Sequence, residues 1–182
     1  MGKLERKTSL SGGAMVDKTP PRVELRGRLD SLSALVVELQ ILAERQGASS
    51  LVEELEDVRA KLYDILSCEV SGKACDDLFL WGMSGEEIRE RSHHPERYFG
   101  LGHVRPHYTM GVVAAGLNAL RTQIREAELS ACRAFAPRSK DEEADRIDII
   151  KALNRLSSAI YILTYKYLPK GYDKTARFSC GN

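Results

Sequence analysis

The chain has 182 residues, of which 27 are Lys or Arg and 26 are Asp or Glu, for a net charge of +1. Hydrophobic residues at 43 % and charged residues at 29 % describe one globular domain, not a disordered or membrane-embedded chain. A balance so close to neutral excludes a chain-wide basic field for nucleic acid, and four cysteines are too few for a disulfide-built fold.

The first residues, Met1 to Thr8, are charged and no apolar stretch follows them, so a secretory signal is not expected. The longest apolar run, Ala34 to Ala43, is broken by Glu38 and Gln40 and is too short to span a bilayer. A cytoplasmic location without a membrane partner is the expectation. Cys68, Cys75, Cys132 and Cys180 are widely spaced, which reads as reduced thiols rather than a zinc site.

Residues 1–28 are rich in Gly, Pro, Lys and Arg. Seven basic residues face three acidic ones there, and Gly12-Gly13 with Pro20-Pro21 predict a loop segment. A first helix is predicted from Leu29 to Arg45, with Leu32, Leu35, Leu39 and Leu42 on one face. Gly47 ends it. A second runs from Leu51 to Cys68, with Ser50 and Glu53 as its capping box. A linker carrying Trp81 leads to a short helix capped by Ser84 and Glu87. His93 to Pro106 reads as a loop, stopped at Pro95 and rich in His, Gly and Tyr.

A long helix follows from Tyr108 to Phe135, with Val113, Leu117, Leu120, Ile124, Ala127 and Ala131 facing the core. The last helix is predicted from Lys140, capped by Ser139 and Glu142, through to Leu168. Residues 169–182 read as a mobile tail. The fold class expected is all-α: an up-and-down bundle of about five helices over residues 29–168, within a single domain spanning 1–182.

Asn118, Arg121, Arg125, Glu128 and Cys132 follow three- and four-residue steps along the long helix, beside its apolar stripe. Arg121 and Arg125 are like charges one turn apart, which repel unless an anion lies between them. The alternative is a solvated face on which Arg125 pairs with Glu128. Asn154 and Arg155 interrupt an apolar run, which marks either an interface, a ligand or the edge of the amphipathic face.

Four segments carry a family resemblance. Leu120 to Glu128 (LRTQIREAE) resembles the A-R-T-x-x-R-R-A-E-R helix of the PduO-type ATP:cob(I)alamin adenosyltransferases. Leu153 to Ser158 (LNRLSS) resembles their N-R-L-S-D segment. Lys7 to Lys18 resembles their nucleotide loop, T-x-L-x-x-G-x-R-V-x-K, and Arg22 to Leu32 resembles R-V-E-A-Y-G-x-L-D-E-L. The pattern is closer still to the ethanolamine-utilisation branch, EutT, which also resembles the stretch Ser92-His93-His94-Pro95 to Tyr98 with His103 and Pro106. The sequence departs from the broader pattern at Glu126, Leu129 and Ser158, and lacks the opening T-K-T-G-D-x-G.

The resemblance implies transfer of the 5′-deoxyadenosyl group of ATP to cob(I)alamin. The alternative is a non-catalytic bundle that binds nucleotide or corrinoid as a carrier or sensor. The resemblance places Arg121 and Arg125 at the triphosphate, as the catalytic pair. It places Lys7, Thr8, Ser9, Lys18, Asp30, Glu128 and Asn154 around ATP and its Mg²⁺. Asp30 would pair with Arg121 of the partner subunit, which implies a homo-oligomer, a trimer by preference.

Tyr98, Phe99 and Tyr108 are the candidates for the cobalamin side. No protein metal site is assigned, because the upstream Cys cluster of some EutT proteins has no counterpart in this sequence. His93, His94, His103 and His107 fall within fifteen residues and read as interface or loop-structuring residues, a metal site being the alternative. A flavoprotein reductase and a corrinoid-dependent acceptor enzyme are the implied partners, with a bacterial microcompartment as an associated location.

Overall fold

A computed structural model describes residues 21–137 and 145–172, together with the backbone of two short strands, β1 (Lys7–Ser9) and β2 (Met15–Asp17). The strands pair antiparallel, with Thr8 opposite Val16. Four long helices form the body: α1 (Pro21–Arg45), α2 (Ser49–Ser71), α5 (Gly111–Ala134) and α6 (Ile147–Lys166). Between α2 and α5 lie a two-residue hairpin, β3 (Phe79–Leu80) with β4 (Met83–Ser84), and two short helices, α3 (Gly85–His93) and α4 (Pro95–Phe99). The all-α bundle expected from the periodicity is the fold found.

The long helices close a ring. α1 packs on α2 and α5, α5 packs on α6, and α6 returns to α2. α3 covers the outer side of α6. With neighbours on three sides, α6 is apolar almost all round: Ile149, Leu153, Leu156, Ala159, Ile160, Ile162 and Leu163 are all buried. α1 and α5 cross closely at Gly116, where a Cβ would lie 2.5 Å from Leu39 Cδ2.

Several boundaries differ from expectation for identifiable reasons. Residues 21–28, expected as loop, form the first turns of α1. Pro21 stands at the first helical position, where its missing N–H costs nothing. Likewise Pro95 starts α4 within the segment read as loop. The Ser50–Glu53 capping box does not form, because α2 begins earlier and places Ser50 inside it, behind Ala48 as N-cap. The Ser84–Glu87 box forms in full, with Ser84 N donating to Glu87 Oε2 at 2.8 Å.

The long helix opens as a 3₁₀ turn at Tyr108–Met110 before α5 proper. α6 begins at Ile147, after Arg146 in a left-handed conformation (φ 60°), not at Lys140; the Ser139–Glu142 box lies outside the described residues. Of the tail, Tyr172 is buried against Met110 and Ala114, and its hydroxyl donates to the Arg105 carbonyl at 2.8 Å. Tyr172 therefore packs into the fold, in a segment expected as tail.

The lower part of the bundle is tied by a buried carboxylate. Glu69 on α2 is 0 % exposed and is gripped by Arg22 at 2.7 Å and by Arg26, both on α1. Removing one guanidinium leaves a buried charge short of its partner. Arg26→Met should therefore lower the unfolding free energy by about 3 kcal/mol in chemical denaturation, with Glu69→Met less damaging because the arginines can swing to solvent.

A second tie joins the α2–β3 loop to α6. Cys75 N–H donates to Asp148 at 2.7 Å, and Arg146 holds the same carboxylate at 3.0 Å while reaching the Cys68 and Lys73 carbonyls. Burial first, and the adjacent Cys68 thiol second, push the Cys75 thiol up to about 12. Cys75 should therefore resist alkylation at neutral pH until the protein unfolds, whereas exposed Cys132 should label readily. Mass mapping after timed maleimide treatment checks this.

Candidate functional site

The site grows from the seam between α5 and α6. Asn154 sits in the middle of the most buried helix, where an unsatisfied amide would be costly. Its Nδ2 donates to Glu128 Oε1 on α5 at 2.9 Å, and its Oδ1 accepts from Arg155 Nη1 at 2.8 Å. Arg155 continues outward to Glu86 on α3 at 3.0 Å. Arg155 holds the exposed Glu86 carboxyl below its ordinary range, chiefly through this hydrogen bond. Arg155 passes close over Gly85, where a Cβ would meet its Cγ at 3.3 Å.

Two turns away on both helices stands a second contact. Arg121 precedes Glu128 by seven residues and Tyr161 follows Asn154 by seven, and the Arg121 guanidinium lies 5.4 Å from the Tyr161 ring centre. Arg121 also donates to Asn118 Oδ1 through Nε and Nη2 at 3.3 and 3.2 Å. Burial, and then the charge of Arg125, lower its pKa. Arg125 is exposed and makes no ion pair among the described residues, and neither does Arg121. The two cations stand side by side without a carboxylate between them. Glu128 binds Asn154, not Arg125.

An aromatic cluster lies beyond Tyr161. Tyr161 meets Tyr165 edge-on at 5.2 Å, and Phe99 stacks on Tyr165 at 4.8 Å. The His103 ring stacks near Tyr161 at 6.1 Å. Burial, reinforced by the Tyr161 hydroxyl, pushes the Tyr165 phenol up.

Of the expected residues, Arg121, Arg125, Glu128 and Asn154 share this seam, and Phe99 joins its aromatic end. Tyr98 lies apart, under the Arg91 guanidinium at 5.1 Å. Tyr108 is 85 % exposed and tilts against His107. Asp30 is exposed on α1 and has no ion pair among the described residues. Lys7, Thr8 and Ser9 lie on β1 with only their backbone described, and Lys18 lies outside the described residues.

The other histidines do not converge. His94 faces Glu90 and Glu96, and His107 bonds Thr109. Among the described residues, no three metal-ligating side chains come together and no helix is long and apolar enough to cross a membrane.

Sequence reasoning marked Arg155 beside Asn154 without giving it a role, and did not single out Tyr161, Tyr165 or Glu86. Tyr161 and Tyr165 are an i,i+4 aromatic pair on the last helix, a visible signal absorbed into the apolar stripe. Gly85 inside the Ser84–Glu87 capping box was the trace of Arg155's passage.

A helical bundle with a cationic and aromatic seam is the class defined by fold and site. The family of cobalamin adenosyltransferases matches residues 5–167, and the chain belongs to it. It is 39 % identical over 161 residues to the corrinoid adenosyltransferase EutT of Escherichia coli K12, and 37 % identical to that of Salmonella typhimurium. Each match covers 88 % of this chain and 58 % of the relative, so the chain spans a little under three fifths of their length. The fold is shared with a variant PduO-type ATP:corrinoid adenosyltransferase from Lactobacillus reuteri complexed with cobalamin and ATP. That similarity has a TM-score of 0.63 at 21 % identity, over 91 % of this chain and 92 % of the other.

Loss of Arg155 would remove the main cause of Glu86's lowered pKa. In Arg155→Gln the Glu86 carboxyl should titrate higher, toward its ordinary value, as read by carbon NMR of the side chain. In the wild type a lowered folded pKa means that the α3–α6 tie is complete above the ordinary carboxylate range. It is lost as pH falls through the lowered value.

Proposed function

We propose that this chain is a corrinoid adenosyltransferase that transfers the 5′-deoxyadenosyl group of ATP to cob(I)alamin. The observation that carries this reading is the Arg121–Arg125 pair, two adjacent cations without a carboxylate partner among the described residues, in a member of this family. Such a pair suits a polyanion better than it suits a bare helix surface.

In the reaction, the electron pair of Co(I) attacks the 5′-carbon of ATP. The Co–C bond forms from that pair as the C5′–O bond breaks, and triphosphate leaves with the pair of the C5′–O bond. The corrinoid is the nucleophile, so the protein supplies position and charge. Arg121 and Arg125 stabilise the growing charge on the triphosphate, which enters as its Mg²⁺ complex. Tyr161 and Asn118 hold Arg121 in place.

Glu128 and Asn154 orient the nucleotide. Asn154 keeps one amide hydrogen for it, since Glu128 takes the other. Lys7, Thr8, Ser9 and Lys18 close over the phosphates. Phe99 faces the corrinoid, with Tyr98 and Tyr108 as the further candidates. Asp30 pairs with Arg121 of the partner subunit, which makes the working unit a homo-oligomer, preferably a trimer. A flavoprotein reductase supplies the electron and a corrinoid-dependent enzyme of ethanolamine use takes the product, in the cytoplasm or at a microcompartment.

Wild-type protein given anaerobically reduced cobalamin, ATP and Mg²⁺ should yield the visible spectrum of adenosylcobalamin. Arg125→Ala should lower turnover by about 10²-fold with an unchanged melting temperature, because exposed Arg125 contributes little to packing. Tight corrinoid binding without Co–C bond formation in the wild type would instead make the chain a carrier.

A further inference from the structure

The hydrogen bonds around Tyr165 fix the direction of every proton in a four-member chain. The Tyr165 hydroxyl lies 2.9 Å from the Gly102 carbonyl, which can only accept, so the single Tyr165 proton goes there. Val104 N–H donates to the same oxygen at 3.3 Å. The Tyr161 hydroxyl, 2.8 Å away, must therefore donate to Tyr165. Its one proton is then committed. The contact of 2.9 Å between Tyr161 and His103 Nδ1 must be filled by a proton on Nδ1. Neutral His103 is thus the Nδ1–H tautomer, with a lone pair on Nε2. Nε2 has no hydrogen-bond partner among the described residues, and His103 is exposed.

We propose that His103 is a corrinoid-specificity residue whose Nε2 accepts a hydrogen bond from a primary carboxamide on the rim of the corrin ring. This rests on the adenosyltransferase reading above and deepens it. A corrinoid is a broad, flat ring fringed with carboxamides, each offering N–H donors. The partly exposed rings of Phe99 and Tyr161, packed on buried Tyr165, lie beside one fixed acceptor. A phosphate offers acceptors only and would be repelled by that lone pair. Phosphate falls instead to Arg121, on the neighbouring helix. Tyr161 joins the two halves, carrying Arg121 against its ring and His103 at its hydroxyl.

The test uses calorimetry with adenosylcobalamin and with its derivatives in which one ring carboxamide is hydrolysed to the acid. Wild type should bind one monoacid isomer about fivefold to tenfold more weakly than adenosylcobalamin, the loss of one hydrogen bond. His103→Phe, which keeps a stacking ring, should bind adenosylcobalamin weaker by the same factor and no longer distinguish that isomer. Its affinity for ATP should not change.

Nitrogen NMR of the wild type in mildly alkaline buffer should show His103 protonated at Nδ1, and Tyr161→Phe should abolish that preference. The inference is overturned by an Nε2–H tautomer, by undiminished discrimination in His103→Phe, or by weaker ATP binding in place of weaker corrinoid binding. A wild type that binds adenosylcobalamin but does not form it fails the adenosyltransferase reading alone. One that binds no corrinoid fails both.

Discussion

The hydrogen bond from Asn154 to Glu128 is the constraint on which the site depends. α6 has three neighbours, and the half-buried amide at its centre is paired across the seam with α5. Once Glu128 is opposite Asn154, the equal seven-residue steps on the two helices bring Arg121 opposite Tyr161. The same amide orders Arg155, which reaches Glu86 and seats α3 on the outer side of α6. One half-buried polar side chain therefore ties three helices together, with the cationic and aromatic halves of the seam on either side of it.

The seam holds two like charges close together. Arg121 and Arg125 repel each other, and burial makes Arg121 harder still to keep charged. Elsewhere the chain neutralises comparable groups: Glu69 is surrounded by Arg22 and Arg26, and Asp148 is held by Arg146. The positive charge at Arg121 and Arg125 is local, which is why the near-zero net charge of the chain says nothing against the proposed polyanionic substrate. The proposed reaction needs no side-chain nucleophile, because its nucleophile arrives with the corrinoid.

Much of this was legible in the sequence. Helix periodicity located the four long helices, and the Arg121–Glu128 stripe and Asn154 were visible as polar residues at helical spacing. The errors have a common origin. Proline was read as a breaker at 20–21 and at 95, although the first helical turn accepts it. A capping box was expected at Ser50, where the helix had already begun. Tyr172 lies in a segment with no local pattern, and only the fold brings it against Met110 and Ala114.

The sequence by itself determined the elements, the family and the identity of the cationic pair, because those are recorded in spacing along one chain. Which side chains meet was decided by tertiary structure. The union of Arg121 with Tyr161, the proton order from His103 to Gly102, and the grip of Arg22 and Arg26 on Glu69 all join residues far apart in sequence. Hydrogen bonds and ion pairs act over a few ångströms of space. Only the packed helices bring those distances about.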